Sequence, residues 1–115
     1  MRYLLLIYEE PPTAPPGQAE SDATMGEYNG YTQWLRDNGQ FLGGEALQPV
    51  TDATTVSVRD GRRIVTDGPF AETKEQLGGY YLIEARDLDA AIEAAGRIPG
   101  ARTGKVEIRP ILEMG

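Results

Sequence analysis

The chain has 115 residues, 40% of them hydrophobic and 25% charged, with a formal charge of −7 and neither cysteine nor histidine. Disulfides, thiolate nucleophiles and Cys- or His-ligated metals are therefore excluded, and any catalysis must run on carboxylates, Lys, Arg, Tyr or bound water. The length suits one domain, residues 1–115. The negative field repels phosphate backbones, so no direct contact with nucleic acid is expected.

Residues 2–8, RYLLLIY, form a nearly all-apolar run that suits a strand buried on both faces. The run is too short to span a membrane and lacks the features of a signal peptide, which makes the cytoplasm the default compartment. Four prolines between residues 11 and 16 make the next segment an extended loop. Residues 22–38 read as a helix: Met25, Tyr28, Tyr31 and Leu35 recur at spacings of three and four beside Trp34, with Ser21 or Asp22 as cap and Asn38-Gly39 as stop. Gly26 and Gly30 weaken this helix; either they are tolerated or they admit a closely packed neighbour.

"FLGGEALQP" gives a strand whose glycine pair marks a bulge or a close backbone approach. In "TTVSVRDGRRIVT", Asp60-Gly61 predicts a two-residue hairpin turn that pairs Val56 with Val65 and Arg59 with Arg62. That like-charge pair calls for either a solvated tip or an acidic partner. "YYLIEA" is a strand. Residues 88–98 form a second helix, capped by Asp87, presenting Leu88, Ala91, Ile92 and Ala95 and stopped by Pro99-Gly100. "KVEIR" alternates as a last strand.

The order of strand, helix, strand, inserted hairpin, strand, helix, strand predicts an α+β, ferredoxin-like split βαβ domain with both helices on one sheet face. The other face, carrying the apolar strand 2–8 and the aromatic strand 80–83, then calls for a second copy, and a homodimer is the economical answer.

Between hairpin and strand lies "DGPFAETKEQLGGYY", residues 67–81. Asp67, Gly68 and Pro69 read as a turn, with Asp67 accepting a backbone N–H and Phe70 anchoring the loop in the core. Gly78 and Gly79 read as a sharp entry into the next strand, the alternative being a place where a ligand approaches the backbone closely. Glu72, Lys74 and Glu75 exceed what a turn needs. Either they are solvated charges, or they form a site where Lys74 receives an anionic or polar ligand that a carboxylate orients. Glu45, after two glycines, and Tyr81, facing either a cleft or the helices, complete the candidates. Glu45 either points into solvent or, facing inward, pairs with Lys74 or Arg109. No EF-hand, P-loop, dinucleotide or nucleophile-elbow pattern appears, so no cofactor and no metal are expected.

Taken together, "YLLLIY", "GGEALQP", "VRDG", "VTDGPFAETKEQLGGYYLIE" and "VEIRPILE" resemble the DGPF subgroup of the YCII-related proteins over nearly the whole chain. The resemblance implies a bacterial protein, a dimeric α/β-barrel of ferredoxin-like protomers, and association with an extracytoplasmic-function sigma factor system. The wider family is credited with a histidine–aspartate site. This chain has no histidine, and Asp67 alone does not reconstitute that pair. A ligand-binding or regulatory module is the leading expectation. The alternative is an enzyme acting on a small polar or carbonyl-bearing metabolite through carboxylate, Lys or Tyr groups.

Overall fold

The computed structural model describes residues 1–114 as an α+β fold. Strands β1 (Arg2–Glu9), β2 (Phe41–Ala46), β5 (Gln76–Glu84) and β6 (Lys105–Pro110) form an antiparallel sheet in the order β2-β5-β1-β6. Helices α1 (Gln18–Asp37) and α2 (Leu88–Gly96) share one core with the sheet. Strands β3 (Thr54–Arg59) and β4 (Arg62–Asp67) form a separate hairpin between β2 and β5.

Alternation along β1 sends Tyr3, Leu5 and Ile7 beneath the helices, where they are buried against Tyr81 and Ile83 of β5. Leu4, Leu6 and Tyr8 lie on the opposite face and are only half-buried. Within one chain the two helices cover one face of the sheet alone, as their number requires. Tyr80 and Leu82 of β5 share that uncovered face, opposite Leu6 and Leu4.

Helix α1 starts four residues before its expected position, directly after Gly17, and no side chain caps it. Its end follows the expected signals. Asn38 Nδ2 donates to the Trp34 carbonyl at 2.7 Å, and Gly39 adopts φ +68° beyond it. Only Tyr31 and Leu35 are fully buried, whereas Met25 is 65% exposed. The second half of α1 therefore packs on the sheet while the first half stands off it. Around Gly26 and Gly30 no atom lies within 4 Å of where a Cβ would sit, so these glycines serve no close approach.

Helix α2 is capped as expected, with Asp87 accepting from the Ala90 N–H at 2.9 Å. Its buried face is Ala91, Ala94 and Ala95, continued by Ile98; Leu88 and Ile92 are each 51% exposed. Ala91 and Ala95 of the expected stripe are thus buried, with Ala94 in place of Leu88 and Ile92, and Tyr31 donates its hydroxyl to the Ala94 carbonyl at 2.8 Å.

In the hairpin both turn residues have positive φ, 52° at Asp60 and 74° at Gly61, and the strands pair in the predicted register, Val56 with Val65 and Arg59 with Arg62. The radius of gyration is 16.3 Å, against about 13 Å for a compact chain of this length. The excess reflects a projecting arm, since none of the hydrogen bonds among the described residues joins β3 or β4 to the four-stranded sheet.

Candidate functional site

The ends of β1 and β2 and the start of β5 meet at one end of the sheet, where Glu9 lies opposite Gln76 and Ala46 opposite Gly79. The proline loop leaves from the same end and leads into the raised half of α1. Between α1 and the β2–β5 pair lies a groove of about 810 Å³. Met25 and Tyr28 wall it, Gly44 and Gly79 contribute to its floor, and Pro11 and Pro12 bound the proline side. The floor is bare backbone for a steric reason. A Cβ on Gly44 would come within 2.8 Å of both the Tyr80 carbonyl oxygen and the Tyr81 ring. Only glycine leaves the strands this close and the groove this deep.

Polar side chains enter the lining from α1 and from both strands. Thr32 Oγ1 and the Tyr81 hydroxyl share a hydrogen bond of 2.9 Å. Tyr81 packs edge-on to Tyr31 at 5.1 Å and to Phe41 at 6.4 Å. The Arg36 guanidinium lies 4.8 Å above the Phe41 ring. The Tyr28 hydroxyl accepts from the Gly100 N–H at 3.2 Å, and burial first, then the Glu9 carboxylate, hold that phenol above the ordinary tyrosine range. Glu10 and Glu45 stand exposed at the rim.

The segment 67–81 is divided by the structure into three parts. Gly68 takes φ +95°, which supports the turn. The Asp67 carboxylate, however, has no hydrogen-bond or ionic partner among the described residues. Instead Thr55 Oγ1 donates to the Gly68 carbonyl at 2.8 Å, and the Gly68 N–H donates to the Ala53 carbonyl at 2.7 Å. Pro69 follows in irregular backbone. Phe70 is 90% exposed, so the expected core anchor is corrected: within the chain this ring pins nothing.

The middle part reaches the groove's rim. Lys74 pairs with Glu10 at 3.3 Å, and Glu75 pairs with Lys105. Glu72 has no such partner among the described residues. Arg109 lies 3.8 Å from Glu107, and Glu45 is exposed, so the solvated reading of Glu45 holds and neither cation meets it. The Lys74–Glu10 pair at the rim is solvent-facing, and exposed pairs contribute only about 0–1 kcal/mol, so an incoming anion can displace Glu10 from Lys74 at little cost.

The last part is strand, which corrects the reading of Gly78 and Gly79 as an entry turn. β5 already begins at Gln76, Gly79 lies opposite Ile7, and the β1–β5 register slips between Ile7 and Tyr8, leaving Gly78 as the extra residue. Tyr81 is resolved to the helix side, where it is buried.

Chemically the groove can bind and orient. Of its carboxylates, Glu10 and Glu45 stand in water at the rim, where they lack the burial that a carboxylate base requires, while Glu9 is half-buried beside Tyr28. Among the described residues no three acidic side chains gather to hold a metal ion. No helix among them is long and apolar enough to cross a membrane. Sequence reasoning missed the groove's walls. Met25 was assigned to the core by its spacing, and the prolines were read as loop alone; the signal available was the coincidence of a weak, glycine-bearing half-helix with a stiff leader.

A second depression of about 440 Å³ lies between α1 and the turn after α2. Its arginines are already engaged, Arg102 with Glu27 and Arg97 over the Trp34 ring at 4.5 Å, which marks it as packing.

An uncharacterized protein of Rhizobium meliloti (strain 1021) is 37% identical over 114 residues, an alignment covering 96% of this chain and 92% of that protein. The model of the YCII-related domain matches residues 1–115. With its whole length matched, from the β1 run to the segment after β6, the chain belongs to the YCII-related family.

Proposed function

We propose that the protein is a small-ligand-binding module of the DGPF subgroup, a cytoplasmic homodimer of ferredoxin-like protomers that takes its ligand in the groove between α1 and β2–β5. The groove carries this reading. Its volume of about 810 Å³ falls within the range of about 300–1,000 Å³ usual for small-molecule sites. The lining suits a largely apolar molecule with one anionic or polar substituent directed to Lys74, and Arg36 offers a second cation at the other end. The strand order β2-β5-β1-β6 supports the ferredoxin-like assignment. The uncovered Leu4, Leu6, Tyr8, Tyr80 and Leu82 support pairing through the sheet. The DGPFAETKEQLGG string supports the subgroup, and with it a regulatory role beside an extracytoplasmic-function sigma factor.

A metabolite library screened by thermal shift tests the reading, because a ligand specific to the native state raises its stability by about 2.7 kcal/mol at a hundredfold excess over Kd. Each stabilising compound is titrated again on Met25→Trp, which fills the groove mouth at an exposed position, and on Lys74→Ala. The shift is expected to vanish in the first and to weaken for anionic compounds in the second. Compounds that stabilise the wild type and Met25→Trp equally place the site elsewhere and overturn the assignment.

A further inference from the structure

The β3–β4 arm is used by neither the core nor the groove. Val56, Val58 and Val65 share one of its faces and are 56%, 59% and 58% exposed, and Phe70 at its base is 90% exposed. A lone two-stranded hairpin is marginally stable in water, and both edges of this one are free to pair. A contiguous apolar face on such an arm marks a contact surface.

Charge identifies the partner. Arg59, Arg62 and Arg63 against Asp60 and Asp67 give the arm +1 in a chain of −7, leaving −8 for the remainder. None of the three arginines has a carboxylate partner among the described residues. Arg59 and Arg62 sit directly opposite each other, an unfavourable pair that an acidic surface relieves. The first half of α1 offers such a surface. Glu20 has no cationic partner there, Asp22 takes only the Gln18 amide, and the exposed Met25 lies between them and the groove.

We propose that the arm clasps a second copy of this chain. Val56, Val58 and Val65 lie over the mouth of the partner's groove, and the arginine tip meets carboxylates on the first half of the partner's α1. Each groove is then roofed by the other protomer's arm. This rests on the dimer and the groove proposed above, and adds that the site is incomplete without the second copy.

With no cysteine in the chain, Ser57→Cys carries a benzophenone cross-linker at one position on the arm's opposite face. An equal mixture of 14N- and 15N-labelled protein is equilibrated, irradiated and digested. The expected product joins position 57 of one isotope to residues 18–29 of the other. Val56→Ser/Val65→Ser, with unchanged circular dichroism, is expected to raise the sedimentation dissociation constant at least tenfold. Cross-links confined to one isotope mean that the arm folds onto its own chain and overturn the clasp. A persistent dimer with no such cross-link and no weakening in the double variant also overturns it, while leaving sheet-face pairing intact. A monomer at every concentration overturns clasp and dimer together. Duplex DNA bound through the tip and lost in Arg62→Ala/Arg63→Ala, without inter-chain cross-links, replaces the clasp with a nucleic-acid contact.

Discussion

One substitution, glycine to alanine, should have opposite effects at two positions 14 residues apart in this chain. At Gly30, on the solvent-facing side of α1, nothing lies within 4 Å of the new methyl, so Gly30→Ala gains helix propensity without a clash. The expected gain is about 1 kcal/mol. At Gly44 the new Cβ would meet the Tyr80 carbonyl oxygen and the Tyr81 ring, each at 2.8 Å. The ring can tilt, but the carbonyl belongs to the neighbouring strand's backbone, and moving it strains the β2–β5 ladder. Such overpacking costs about 1–3 kcal/mol. Urea unfolding reads both effects. With a slope of about 1–3 kcal/mol per molar for a small protein, the two midpoints should separate by roughly 1 M or more, on opposite sides of wild type. The slope should stay unchanged. A Gly44→Ala midpoint equal to wild type would refute the bare-backbone floor, and a destabilised Gly30→Ala would mean that α1 is covered where it is described as open.

Leu5→Ala, at a fully buried position under both helices, should cost about 2–5 kcal/mol by urea unfolding. Phe70→Ala, measured in protein dilute enough to dissociate any dimer, should change stability by less than about 0.5 kcal/mol, as exposed substitutions do. Tyr31→Phe deletes the buried hydroxyl bonded to Ala94 and should cost roughly 0.5–1.5 kcal/mol, the Ala94 carbonyl keeping only the Arg97 N–H. Burial also raises the Tyr31 ionisation above the ordinary value of 10.0. The unfolded chain therefore loses that proton first, so stability is fully present below pH of about 10 and falls as pH rises toward the folded value. Unfolding midpoints recorded up to pH 11 should decline in wild type and decline less steeply in Tyr31→Phe.

Local chemistry was legible in the sequence where one residue type answers one backbone demand. Asp60-Gly61 determined turn and register together, because both positions need positive φ and the strands must then pair Val56 with Val65. Asp87 announced the start of α2 for a similar reason. The order of apolar runs was enough to predict an α+β fold with both helices on one face. Sequence reasoning failed where the deciding neighbour is distant. Leu88 and Ile92 are more apolar than Ala94, yet Ala94 faces the core, on the side where Tyr31, 63 residues earlier, bonds its carbonyl. Phe70 was assigned to the core by residue type, but no part of its own chain is there to receive it. The groove depends on Gly44 meeting Tyr81 and on a half-raised α1, neither of which has a local signature. Of the candidate residues, Glu45 and Tyr81 line that groove and Lys74 reaches its rim through Glu10, whereas Glu75 pairs with Lys105 outside the lining and Asp67 and Glu72 stay on the arm's return path.

The central claim is that ligand enters between α1 and β2–β5, and amide-shift mapping tests it most directly. 15N-labelled protein is titrated with the strongest stabiliser from the library. The largest shifts are expected at residues 25–36, 43–46 and 76–81, with small ones on β6. Shifts concentrated on Leu4, Leu6, Tyr8 and Leu82, with Gly44 and Gly79 unmoved, would place the ligand on the outer sheet face and contradict the account.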